Sequence, residues 1–189
     1  MNKGIALATG DVIGILNADD CYTDDHVLEK VAEVFADPTV MSCYGDLIYV
    51  KHFSPFTLHP SPHLVHRFWR AGDFSPGKFY TGWMPPHPTF FVRRSVYERF
   101  GNFRLDQGSA ADYELMLRFL LKERITSVYI PSVLVAMLVG GASNATLKNR
   151  LRANRMDRRA WEVNGLTPRP WTIPLKPLRK ITQWLVKGT

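Results

Sequence analysis

The spacing of apolar positions changes several times along this chain, and each change predicts an element. Met1, Ile5 and Ala8 share one helical face and Thr9-Gly10 supplies a stop, so residues 1–8 read as helical turns. Val12 to Leu16 is a continuous apolar run that breaks off at Asn17-Ala18-Asp19-Asp20. That is how a strand buried on both faces of a parallel sheet reads, with polar residues at its carboxyl end. Helical spacing resumes at Val27, Leu28, Val31, Val34 and Phe35; Thr23 or Asp24 can cap this helix and Asp37-Pro38 stops it. Val40 to Val50 alternates and is rich in β-branched and aromatic residues, which predicts a strand or a hairpin bent near Gly45-Asp46.

From Lys51 to Pro86 Pro, Gly, His and aromatics are dense, and a long irregular segment, functional or disordered, is expected. A strand over Thr89 to Arg93, a short helix from Ser95 to Phe100 closed by Gly101, and an amphipathic helix from Ala110 to Glu123 follow. In that last helix Leu115, Leu117, Phe119, Leu120 and Leu121 are available for burial, and Glu114 reads as a surface group. Ser127 to Val139 is a final strand region, interrupted by Pro131 and ended by Gly140-Gly141. Beyond Asn144 comes a basic helix and then a segment with Pro168, Pro170, Pro174 and Pro177 set among Trp171, Ile173 and Leu175. Strands alternating with helices define an α/β core over residues 1–145, with a tail over 146–189 and no internal repeat.

Composition narrows the class. The 189 residues, 46% of them hydrophobic, suffice for one sizeable core. Charged residues interrupt every apolar stretch before it reaches the ~18 residues of a membrane span, and Lys3, Asp11, Asp19 and Asp20 exclude a signal peptide in the first twenty residues, so a cytoplasmic location is expected. Cys21 and Cys43 fit no disulfide or zinc pattern and read as small buried residues. Lys and Arg outnumber Asp and Glu by 24 to 17, with the excess late in the chain, which fits either an anionic partner or a solvated basic surface. No zinc-finger, helix-turn-helix or RNA-recognition motif accompanies that charge, and no nucleic-acid partner is expected.

Asn17-Ala18-Asp19-Asp20 lies where open α/β sheets place ligands. Two adjacent carboxylates with an amide nearby can hold a hard divalent cation that also binds diphosphate oxygens; the same residues can simply end a strand and cap the next helix. The stretch from Met1 to Asp20, MNKGIALATGDVIGILNADD, resembles the segment of family 2 glycosyltransferases that leads into their Asp-x-Asp motif. A second region, Pro86-His87-Pro88-Thr89-Phe90-Phe91-Val92-Arg93-Arg94 and onward to Ala110-Ala111-Asp112-Tyr113-Glu114-Leu115, resembles the acceptor half of the same enzymes.

The resemblance implies a partial GT-A fold, a Rossmann-like, mixed and mostly parallel sheet flanked by helices, with a basic helical tail. It implies Mg²⁺ or Mn²⁺ at Asp19, with Asp20 adjacent, and Asn17, Ala18 and Asp19 as donor-binding residues. Asn17 stands where the motif has its first Asp. Asp112 is implied as the base, because an acceptor hydroxyl attacks an anomeric carbon well only when a positioned carboxylate takes its proton. From position alone Asp112 can equally be a helix-opening residue. His87 and Arg93 are candidates for contacts with the acceptor or with phosphate, or are a loop residue and a strand end.

The implied activity is that of an inverting, metal-dependent glycosyltransferase moving a sugar from a nucleotide-diphospho-sugar, a UDP-sugar in the expected case, to a glycan or lipid-linked acceptor in bacterial surface polysaccharide synthesis. A non-catalytic nucleotide-sugar or carbohydrate-binding remnant is the alternative. The tail interleaves Trp171, Ile173, Leu175, Leu178, Ile181, Trp184 and Leu185 with cations, which fits peripheral contact with the anionic inner face of a membrane, or packing back on the core. The strands with which this family usually begins are not recognised before Met1, so the expectation is an N-terminally truncated unit, poorly folded or inactive alone.

Overall fold

The computed structural model describes residues 1–52, 65–139 and 147–185. Helix α1 (Asn2–Leu7) precedes β1 (Val12–Ile13), β2 (Asp20–Tyr22) and α2 (Val27–Phe35). Next come β3 (Ser42–Val50), β4 (Val65–Trp69), β5 (Phe91–Arg93), α3 (Arg94–Phe100) and α4 (Ala111–Met116), which continues as a π-helical turn over Leu117–Lys122. Strand β6 (Ser127–Leu138) and the helices α5 (Leu147–Glu162) and α6 (Thr172–Leu185) complete the order, with 3₁₀ turns at Pro76–Thr81, His87–Thr89 and Leu105–Ala110.

The strands form one mixed sheet in the order β1-β5-β3-β6-β2, and β4 pairs with the second half of β3. Among the described pairings only β3 with β6 is parallel; β1–β5, β5–β3, β3–β4 and β6–β2 are antiparallel. The expected mostly parallel sheet is corrected here, because an apolar run reports burial and not strand direction. The expected double burial of Val12 to Leu16 is corrected as well: β1 pairs with β5 alone, and Leu16 is 38% exposed.

Other boundaries moved for local reasons. The Asp24 carboxylate accepts a hydrogen bond from the His26 amide, an Asx turn that delays the helix until Val27. Thr23 is spent on the sheet, donating through its hydroxyl to the Val133 carbonyl. Gly45 does not bend a hairpin. It lies inside a continuous strand, at a register shift in the pairing with β6, and a Cβ there would come within 2.5 Å of the Leu134 side chain. Val65–Trp69 is a strand rather than loop; residues 53–64, inside the expected irregular segment, and Gly140-Gly141 with the boundary near 145 lie outside the described residues.

Each face of the sheet has its own core. On one, Val27, Val31 and Phe35 of α2 pack on Cys43, Leu47, Phe91, Leu134 and Val135. On the other, Tyr44 and Val92 meet Phe79, Trp83, Tyr113, Leu115, Leu117, Phe119 and Trp161, each such burial contributing about 1.5–3 kcal/mol. Trp161 and Ile173 belong to this second core, so α5 and α6 are part of the same packed unit as α4. Gly82, at φ 76°, lets α6 approach closely: a Cβ there would sit 2.5 Å from the Lys176 amide nitrogen.

Glu114 is fully buried, correcting its reading as a surface group. Its carboxylate accepts two hydrogen bonds of 3.0 Å from the Arg118 guanidinium and one of 3.2 Å from Asn164 of the chain just beyond α5. Arg118 also donates to the carbonyls of Phe100, Gly101 and Asn102, tying α4 to the end of α3. The i,i+4 spacing of Glu114 and Arg118 permits the ion pair, but its burial depends on Asn164 and on the carbonyls of Phe100, Gly101 and Asn102, which periodicity does not report.

Candidate functional site

The antiparallel pairing of β1 and β5 brings the two sequence motifs to one end of the sheet. Val12 lies opposite Arg93 and Ile13 opposite Val92. Past Ile13 the chain runs on to Asn17–Asp20, while β5 is entered from Pro86-His87-Pro88, so both segments lie toward the same end. Asp112, in the first turn of α4, is a charge neighbour of His87.

In the first segment Asn17, Ala18 and Asp19 are exposed and Asp20 is buried. The Asp20 amide donates to the Asn17 carbonyl (3.1 Å), and the Asn17 side-chain amide donates to one Asp20 carboxylate oxygen (2.8 Å). The other carboxylate oxygen of Asp20 is buried with no hydrogen-bond partner. Burial pushes the Asp20 carboxyl above its ordinary range; the Asn17 hydrogen bond opposes that and the neighbouring Asp19 adds to it. An orphaned carboxylate oxygen beside an exposed carboxylate suits a small hard cation. No cluster of three or more His, Cys, Asp or Glu able to hold a metal occurs among the described residues. Two carboxylates still fit Mg²⁺ or Mn²⁺, since such ions keep waters and substrate phosphates as their remaining ligands.

His87 opens a 3₁₀ turn between two prolines, half-buried, its ring edge-on to Phe103 at 5.5 Å. Burial lowers its basicity, against the pull of the Asp112 charge, which marks the two side chains as neighbours. Phe103 is itself held by Asn2, whose side chain exchanges two hydrogen bonds with its backbone. Asp112 accepts a hydrogen bond from the Tyr113 amide at 2.8 Å; the N-cap of α4 is Ala110, and no side chain caps the helix.

Arg93 is not at this end. It lies opposite Val12, and its guanidinium donates to the carbonyls of Val40, Phe35 and Asp37 while resting over the Phe35 ring. It caps the end of α2 and ties it to the sheet, which corrects its candidacy as a phosphate or acceptor group. An apolar groove along β1 and α2, lined by Val12, Tyr22, Leu28, Val31, Phe35 and Phe91, carries no carboxylate or imidazole and is no part of the site.

Behind Asp112 is a cluster that the sequence did not reveal. The Trp161 indole N–H donates to the Tyr113 hydroxyl (2.9 Å), and the Lys176 ammonium lies 3.5 Å from the centre of the Tyr113 ring while pairing with Asp157 at 2.7 Å. Asp46, taken for part of a bend, is a buried carboxylate accepting from the Ala71 amide (2.7 Å) and the Tyr129 hydroxyl (2.9 Å). It anchors the chain that leads to the Pro76–Thr81 turn under α6. A polar residue inside an otherwise apolar strand was the available signal.

A mixed sheet between helices, with a carboxylate pair beyond one strand and a third carboxylate opening a helix at the same end, defines an α/β protein of partial GT-A type. Residues 1–101 match the glycosyl transferase family 2, and the chain belongs to that family. No curated protein matches it.

Proposed function

We propose that this chain is the metal- and acceptor-handling part of an inverting glycosyltransferase that uses Mg²⁺ or Mn²⁺ and a UDP-sugar and delivers the sugar to a hydroxyl of a glycan or lipid-linked acceptor. The reading is supported by two observations: β1 leads toward Asn17–Asp20 at the end of the sheet from which β5 is entered after His87, and Asp112 is a charge neighbour of His87. Asp112 takes the proton of the acceptor hydroxyl as its oxygen attacks the anomeric carbon. His87, with lowered basicity beside it, donates or accepts one hydrogen bond to orient that hydroxyl. Asp19 and Asp20 hold the cation, and Asn17 fixes the Asp20 carboxylate for that task. When bound, the cation neutralises the charge that gathers on the departing nucleoside diphosphate. Asn17, Ala18 and Asp19 line the donor side, and the open backbone of that loop admits the diphosphate.

Bacterial surface polysaccharide assembly at the inner face of the plasma membrane is the setting that suits a lipid-linked acceptor and a basic tail. The deciding experiment pairs wild type with Asp112→Asn, measuring UDP and Mn²⁺ binding by calorimetry and transfer from a set of UDP-sugars to a bacterial membrane extract. Transfer by wild type, lost about 10²-fold or more in the variant with binding intact, is the expected result. Binding without transfer in both proteins would favour a non-catalytic nucleotide-sugar-binding role, and equal transfer by both would remove Asp112 as the base.

A further inference from the structure

The charge of this chain is divided sharply between its two parts. Residues 147–189 carry eleven Lys and Arg against Asp157 and Glu162, whereas residues 1–146 carry thirteen against fifteen acidic residues. The whole positive excess therefore belongs to the segment of α5 and α6. The structure also separates the faces of α6. Its inner face is fixed: Ile173 and Thr172 are buried, the Thr172 hydroxyl donates to the Tyr80 carbonyl, and Lys176 pairs with Asp157; at its edge the exposed Arg179 donates through Nε to the Thr81 carbonyl. Trp171, Pro174 and Leu178 recur at the three- and four-residue spacing of one helical stripe and are all exposed, Trp171 by 49% and Leu178 by 54%. Arg169 and Arg179, both exposed, flank that stripe.

We propose that this outer stripe of α6 is a docking surface for an anionic bilayer, lying flat in the headgroup region with Trp171 and Leu178 inserted and the flanking Arg169 and Arg179 against the lipid charge. Indole and aliphatic side chains set between arginines suit the boundary of headgroups and acyl chains. A second copy of this chain fits the stripe poorly, since it would bring two strongly basic segments together. Among the described residues no helix is long and apolar enough to cross a membrane, so the contact is peripheral. The inner face of the same helix touches Tyr113 through Lys176, next to Asp112. A membrane seated on α6 is thus one helix away from the proposed base, which suits a lipid-linked acceptor. This inference deepens the transferase reading, and its test does not depend on that reading.

The test is flotation of the full 189-residue chain with vesicles of phosphatidylcholine alone and of phosphatidylcholine with about one third phosphatidylglycerol, at low and at ~0.5 M salt. Binding to the anionic vesicles that falls with salt, and that drops about tenfold or more in Trp171→Glu/Leu178→Glu, is the expected result. Because that variant could disturb folding, Leu178→Ser is run beside it with the melting temperature recorded; it should melt like wild type and bind several-fold less. Absence of binding, equal binding by a folded variant, or a stripe-dependent dimer with no lipid affinity would each overturn the proposal. So would capture of oligonucleotides undiminished by the stripe substitutions in a protein that ignores vesicles.

Discussion

The two carboxylate regions of the site are built in opposite ways. Asp112 opens a helix whose next two residues are fixed by distant segments: Tyr113 by Trp161 and Lys176, Glu114 by Arg118 and Asn164. The Asn17–Asp20 loop is tied to the sheet at Asp20 alone, which begins β2 opposite Met137; the rest is held by its own turn, with one Asp20 oxygen unsatisfied and three of its four residues exposed. The difference suits the two tasks. A base must be aimed before the substrate arrives, since misplacement by an ångström costs rate. A cation ligand can be left incomplete, because the cation and its phosphates complete it.

Substitutions that break the rigid side should be the costliest. Glu114→Gln removes a fully buried charge partner of Arg118 and should cost about 3–5 kcal/mol in a urea melt, with Glu114→Leu/Arg118→Met recovering most of it. Trp161→Phe leaves the buried Tyr113 hydroxyl without its donor and should cost about 1–3 kcal/mol by the same assay. On the open side, Asp20→Asn should change stability by less than about 1 kcal/mol, since it removes a poorly solvated charge, and it should abolish any rise in melting temperature brought by Mn²⁺ with UDP. A large loss of stability in Asp20→Asn would mean that the loop is as structural as α4.

The smallest effect is a slope with pH. Burial holds the His87 imidazole below its ordinary value, so the folded state binds fewer protons than the unfolded one. Its contribution is complete above the unfolded value of about 6.5 and is lost as pH falls through that value toward the folded one. His87→Gln should flatten the fall in melting temperature as the pH drops below about 6.5.

Much of this architecture was legible in the residues. The short helix of α3 and the amphipathic stretch containing α4 follow period and punctuation, and Phe119 and Leu120 are buried as their spacing required; the final strand is where expected, but it runs through Pro131 without the expected interruption. The location of Asp112 on a first helical turn was also readable. Strand direction was not, because β3 and β6 pair across the more than seventy residues that separate them. The roles of Glu114, Asp46 and Arg93 were hidden for one shared reason. Asp46 and Arg93 are satisfied by carbonyls, amides or side chains remote in sequence, and Glu114 has such a partner in Asn164 besides Arg118 one turn on; no local period records the remote partners.

The parallel ladder of β3 and β6 governs how this chain can be assembled in time. Its first pair, Ser42 with Ser127, is separated by 85 residues, so the central strand pair closes only after most of the chain exists. Non-local parallel pairing of this kind lies at the slow end of folding, because loop entropy is spent before contacts return it. At ~5–20 residues per second of synthesis, β3 waits several seconds or more for its partner. During that wait Cys43, Leu47 and Val50 have one strand side unpaired, and a chaperone that shields extended apolar segments would raise the yield of this protein more than any change at its surface.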